Sequence, residues 1–272
     1  MNAGSSNQQK NILNKPKEAY VTVIHSSEDY ACGAIALAQS IIQSNSTKDL
    51  VLLANNSVSS KSLQGLIAAR WKIKHIERIR SPHAQPDAYN EWNYSKLRIW
   101  QLIEYDKVIF IDADLTVVRN IDEFFVYPQL LAVWNSRHIF NLGVMLIEPS
   151  KCTFETLMEN RFEVKSYNGD LIHEIPKDIY ALHYLGLKPW MCYQDYDCNW
   201  DFIEYQRHAS DSAHESWWKV YKAMPKKLKP YCSLSREMES RLRYARRVAM
   251  NNSFPDGHWK IKVQDPRTHF LS

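Results

Sequence analysis

Two aspartates separated by a single residue, Asp112 and Asp114, stand at the end of the apolar run in KVIFIDADLT. Ionised carboxylates this close repel each other, and a divalent cation is the usual remedy in a protein. The apolar run reads as a buried strand of a parallel sheet, and the carboxyl ends of such strands are where α/β proteins bind ligands. Two chemistries use that placement. In nucleotide-sugar transfer the pair holds Mn2+ or Mg2+ against a departing diphosphate. In an aspartate-nucleophile phosphatase, whose first motif also reads D-x-D-x-T after a strand, Asp112 attacks and Asp114 serves as acid or base. That motif normally opens its domain, whereas here at least three α/β elements come earlier.

A second cluster lies in ALHYLGLKPW, residues 181–190. His183 offers an imidazole ligand, Gly186 allows close backbone approach, Lys188 supplies a point charge for phosphate, and Pro189 fixes the turn that follows. Together with the aspartate pair this makes a metal-diphosphate set. Asn141, a polar amide on an otherwise apolar strand, reads as a ligand contact.

The elements that must position these residues alternate in β and α rhythm. YVTVIH is a strand, and Ser26, Ser27 or Asp29 can cap the helix that begins in ACGAIALAQSII. DLVLLAN, KIKHIERI and KVIFID read as further strands, SKSLQGLIAARW and NYSKLRIWQLIEYD as helices. LLAVW and GVMLIEP complete the sheet, and Pro149-Ser150 opens a helix over KCTFETLMEN. The expected organisation is a polar tail over 1–18, an α/β domain over 19–200 and a helical or irregular extension over 201–272 packed on that domain. Trp71, Trp100, Trp134 and Trp200 read as core aromatics, whereas Trp190, Trp217 and Trp218 are expected to border an acceptor groove.

With 45% hydrophobic residues and 24% charged ones, the 272-residue chain is globular rather than disordered. A formal charge of +4 does not imply nucleic acid. Five cysteines without a C-x-x-C pair write no zinc knuckle or redox motif and allow at most two disulfides, Cys192 and Cys198 being close in sequence. Asn-x-Ser/Thr sequons stand at Asn45, Asn55, Asn93 and Asn251. The sequence shows neither a signal-peptide pattern nor an apolar run long enough to cross a membrane.

VTVIHSSEDYACGA, KLRIWQLIEYDKVIFIDAD, FNLGVMLIEPS and HYLGLKPW together resemble the glycogenin-like family 8 glycosyltransferases. SYNG, DYDCNWD, AHESWWKVYKAMP and DGHWKIKVQDPR look most like the plant glycogenin-like starch-initiation type, which includes Golgi enzymes that place glucuronic acid on xylan. The likeness runs over about residues 19–268. It implies a GT-A fold with a mostly parallel central sheet, and Mn2+-dependent, retaining transfer from a UDP-sugar, most of all UDP-glucuronate, to a xylan-type polysaccharide. By resemblance Asp112, Asp114 and His183 are metal ligands, and Lys188 with Gly186 contacts the diphosphate. Ile24, Ser26, Ser27 and Tyr30 match the loop that holds uridine and phosphate. Lys96 matches a lysine near the donor sugar, and Asp170 aligns with the aspartate of the family's G-G-D-Q-G motif; with Asn141 these are the candidate catalytic residues. The resemblance also implies a Golgi membrane location, with an anchor that this sequence does not contain, and leaves a homo-oligomer or Golgi complex open.

Two departures stand out. Leu142 replaces the serine of the family's F-N-S-G. After SYNGD the Gln is absent and the chain passes at once to LIHEIPKDIYALHYLG, so a segment that helps hold donor sugar and acceptor is missing. The rival readings are a UDP- and Mn2+-binding variant that has lost transfer, and a haloacid-dehalogenase-type phosphatase using Asp112.

Overall fold

A computed structural model describes residues 15–25, 27–136, 139–159 and 177–267. At its centre is a six-stranded sheet of order β3-β2-β1-β4-β7-β6. β1 (Glu18–Ile24), β2 (Asp49–Ala54), β3 (Lys72–His75) and β4 (Lys107–Ile111) run parallel, and β7 (Ile139–Ile147) joins β4 antiparallel, followed by β6 (Leu131–Ser136). A separate antiparallel pair is formed by β5 (Leu115–Val117) and β8 (Ala181–His183).

The continuous apolar runs become central strands because both faces of the sheet are covered, and their side chains divide with period two. Tyr20, Ile24, Leu50, Leu52, Ile109 and Ile111 join a core with α1 (Tyr30–Gln43) and α4 (Asp211–Ala223). Their neighbours Ala19, Val21, Val23, Val51, Leu53, Val108 and Phe110 face the opposite core with Ile99, Trp100 and Leu102. KIKHIERI shortens to β3, an edge strand with three of its four residues exposed. NYSKLRIWQLIEYD forms a 3-10 helix over Asn93–Gln101 rather than an α-helix. The remaining helices are α2 (Ser60–Ala68), α3 (Lys151–Glu159) and α5 (Arg236–Asn251). Ser150 caps α3 through the Thr153 amide, as its position next to Pro149 suggests.

Trp190, Trp217 and Trp218 are 5%, 0% and 2% exposed, so none of them presents an open ring face to a sugar, and Trp190 only edges a small cavity beside Asp29 and Cys232. They stack into the larger core because α4 lies against α1 and the 3-10 turn at Pro189–Met191, and the aromatic faces exclude water there. Cys192–Cys198 is disulfide-bonded, and a second bridge, Cys32–Cys232, spans 200 residues to tie α1 to the chain's last third. Sequence spacing offers no sign of that second pairing. Among the described residues no helix is long and apolar enough to cross a membrane.

Candidate metal centre

The aspartate pair sits where β4 ends beside β7. The Asp112 amide donates to the Gly143 carbonyl at 2.8 Å, and the Leu115 amide donates back to the Asp112 carbonyl at 3.1 Å, closing a tight turn that swings Asp114 into β5. β5 then pairs with β8 so that Leu115 stands opposite His183, while the Tyr184 amide donates to the Asp114 carbonyl at 3.0 Å. Residues about 70 positions apart in sequence are therefore brought together by a three-residue strand pair. Ligand atoms of Asp112, Asp114 and His183 lie within 4.8 Å of one another.

Cations surround the pair. Lys188 places its ammonium 2.7 Å from Asp114 Oδ2 and donates to the Tyr184 carbonyl at 2.6 Å, while His183 Nε2 lies 3.2 Å from Asp114 Oδ1. Lys96, from the 3-10 helix, stands 2.7 Å from Asp112 Oδ1. Burial of Asp114 by itself disfavours its charge, but the hydrogen bond and charge of His183, then Lys188, outweigh it and hold the carboxyl well below the usual carboxylate range. Tyr30, at the start of α1, lies 5.9 Å from the Lys188 ammonium, and burial followed by the charges of Asp114, Asp112 and Asp29 raises its hydroxyl pKa. Asn141 Oδ1 accepts from the Gly143 amide at 2.7 Å; a Cβ on Gly143 would stand 2.8 Å from that oxygen and 3.0 Å from His183 Cε1, so Asn141 borders the cluster. Leu142 beside it is 36% exposed.

The first loop is less uniform. Ile24 is 2% exposed, with its side chain in the core, so only its backbone reaches the strand end. Ser27 Oγ accepts from the Asp29 amide at 3.1 Å, and Asp29 takes the capping position of α1 without a side-chain cap of its own. Ser26 and Asp170 lie outside the described residues.

Several residues that motif reading missed hold the loop 183–192. Gly186 has φ +68°, and a Cβ there would stand 2.5 Å from Asn199 Oδ1, which accepts from the Leu187 amide at 2.7 Å. Asn199 is in turn fixed by Asp197, which is fully buried and accepts from Asn199 Nδ2 at 2.9 Å, the Asn199 amide at 3.0 Å and the Ser210 amide at 2.5 Å. Arg267, also fully buried, donates to the carbonyls of Trp190 at 2.8 Å and Cys192, and pairs with Asp265. Trp190 Nε1 donates to the Asp29 carbonyl at 2.8 Å, which couples this loop to the first one. His25, at the end of β1, has a buried Nδ1 without a hydrogen-bond partner. Burial, then the charges of Lys96 and Arg78, push its pKa down to about 4. The polar letters of DYDCNWD, set in an aromatic segment, were the signal for the first group; Arg267 ends DGHWKIKVQDPR, a run that carries the resemblance but assigns the arginine no role.

Two carboxylates and an imidazole suit Mn2+ or Mg2+, and the lysines beside them suit a diphosphate. Residues 21–129 match the model of glycosyl transferase family 8. The chain is 52% identical to putative UDP-glucuronate:xylan alpha-glucuronosyltransferase 4 of Arabidopsis thaliana, over 92% of its own length and 50% of that protein. It is 47% identical to UDP-glucuronate:xylan alpha-glucuronosyltransferase 1 of the same plant, over 96% and 46% respectively. The chain thus spans about half the length of the relatives it matches. An active-site mutant of LgtC superposes with a TM-score of 0.53 at 13% identity, covering 78% of this chain and 99% of that one, which shows the GT-A fold.

Proposed function

The chain belongs to glycosyl transferase family 8, and from that premise we propose that it transfers glucuronic acid from UDP-glucuronate to a xylan-type polysaccharide in the Golgi, with Mn2+ and with retention. The carrying observation is the convergence of Asp112, Asp114 and His183 within 4.8 Å, with Lys188 against the same carboxylate. Asp112, Asp114 and His183 would hold the cation, with Mg2+ a chemically acceptable substitute. When bound, a divalent cation there supplies positive charge to the diphosphate as it leaves. Lys188 adds a second charge at that group, and the backbone turn at Gly186 lets the phosphate approach. In this reading Ile24, Ser27 and Tyr30 take the nucleotide side of the site and Lys96 and Asn141 the sugar side; Ser26 and Asp170 are assigned to the same two sides by resemblance alone, since they lie outside the described residues.

The choice of sugar and acceptor rests on the relatives, whose names carry UDP-glucuronate and xylan. A second reading, binding of UDP and metal without transfer, is favoured by one observation. The alignment to the first relative runs over 279 positions, more than the 272 residues of the chain, so it contains gaps opposite the relative's residues. That agrees with a missing segment after Asp170.

The two readings separate in one assay. UDP release from UDP-glucuronate is followed with xylo-oligosaccharides and Mn2+. Transfer predicts metal-dependent release and a lengthened acceptor, both lost in Asp112→Ala and His183→Ala. Tight UDP binding without release selects the binding-only reading, and an aspartyl-phosphate on Asp112 that is indifferent to His183 would establish the phosphatase instead.

A further inference from the structure

Four sequons, at Asn45, Asn55, Asn93 and Asn251, have no part in the proposed transfer, and the fold sorts them into two pairs. The first pair stands at the carboxyl end of the sheet. Asn55 directly follows β2 and is 7% exposed; its amide donates to the Ile24 carbonyl at 3.3 Å, and its Oδ1 accepts from Ser57 Oγ, the sequon's own hydroxyl, at 3.0 Å. With its side chain buried, Asn55 has no open space for a sugar on Nδ2, which would have to enter the mouth of the first loop.

Asn93 opens the 3-10 helix Asn93–Gln101, in which side chains three apart eclipse. It therefore shares an edge with Lys96, whose ammonium pairs with Asp112. Its sequon hydroxyl, on Ser95, is fully buried and accepts from the Ile79 amide at 3.0 Å. A glycan here would overlie the candidate metal centre.

The second pair is open. Asn45 follows α1 in the left-handed conformation, φ 66°, where asparagine is tolerated, and its amide closes the helix on the Ile42 carbonyl at 3.0 Å. Both Asn45 and Thr47 are exposed. This turn leads into the first residues of β2, so it lies at the amino end of the parallel strands, opposite Asp112. Asn251 ends α5, and Asn251, Asn252 and Ser253 are all exposed. An independent feature points to the compartment. Both disulfides, Cys32–Cys232 and Cys192–Cys198, are of the kind that persists in the oxidising lumen of the secretory pathway, where N-glycans are attached.

We propose that Asn45 and Asn251 carry N-linked glycans while Asn55 and Asn93 stay bare. The inference rests on the lumenal placement in the proposed function and adds to it two modification sites. In the step, the asparagine Nδ2 bonds to the anomeric carbon of a lipid-diphosphate-linked oligosaccharide; the diphosphate leaves with the bonding pair and the amide gives up one proton. The fold then keeps the bulky product away from the donor site.

The test is secretion of the full chain from eukaryotic cells behind a cleavable leader, followed by peptide N-glycosidase in oxygen-18 water, which marks each glycan-bearing asparagine as labelled aspartate. Peptide mass spectrometry is expected to find the label at Asn45 and Asn251 and none at Asn55 and Asn93. Asn45→Gln and Asn251→Gln should each remove one glycan-sized step on a gel, while Asn55→Gln and Asn93→Gln remove none. A folded, secreted chain without label at Asn45 or Asn251, or with label at Asn55 or Asn93, overturns the assignment. UDP titration of the same sample judges the transferase reading separately, because the glycan map does not depend on UDP binding.

Discussion

Asp114 and Asp197 are both buried carboxylates, 9% and 0% exposed, yet they are satisfied in opposite ways. Asp197 takes hydrogen bonds from the backbone amides of Asn199 and Ser210, which cannot leave without unfolding their segment, and from the Asn199 side chain, with His214 Nε2 3.4 Å away. Asp114 is matched by the side chains of His183 and Lys188, and its neighbour Asp112 by Lys96. Side-chain cations can re-aim; backbone amides in a folded turn cannot. The difference separates the site proposed to exchange partners for a cation and a diphosphate from a brace that holds the site's loop.

The contrast can be broken most sharply at the metal centre. Asp112→Ala and His183→Ala should each weaken Mn2+-dependent UDP binding on the order of 100-fold or more, with an unchanged circular dichroism spectrum, as measured by calorimetry. Asp197→Ala should do the reverse, costing about 2–4 kcal/mol in urea unfolding because buried donors lose their acceptor. Asn199→Ala probes the link between the two regions. Its loss frees Leu187 and the turn before Lys188, so UDP affinity should fall about tenfold while uridine affinity stays the same; an equal loss for both ligands would make Asn199 merely structural. The smallest effect concerns pH. His25 is held neutral with its pKa down at about 4, below the ordinary value of 6.5, by burial and then by Lys96 and Arg78. Between those two values the unfolded chain takes up a proton that the folded one refuses, so stability falls as pH drops through that window. His25→Gln should flatten the slope of melting temperature against pH across it.

Much of this was legible in the sequence, and the reasons are local. The runs YVTVI, DLVLLA and KVIFI announced parallel strands because both their faces meet a core, and IDAD marked the strand end where the carboxylates project. His183 was readable as a candidate ligand from its motif, although the pairing of Leu115 with His183 that brings it beside the aspartates was not, since three-residue strands carry no periodicity. Trp217 and Trp218 misled the reading because an aromatic pair on an amphipathic helix looks the same whether it faces a groove or a core; contact with α1 decided for the core. The Cys32–Cys232 bridge and the Arg267 clamp on the Trp190 carbonyl join residues 200 and 77 positions apart, which only the fold brings together.

Calorimetric titration of UDP into the purified chain, first with Mn2+ and then with a chelator, tests most directly whether Asp112, Asp114, His183 and Lys188 form a metal-diphosphate site. Saturable binding with Mn2+ that vanishes on chelation is the predicted result. A folded chain that takes up no UDP in the presence of Mn2+, or binds it equally well without metal, would contradict the account.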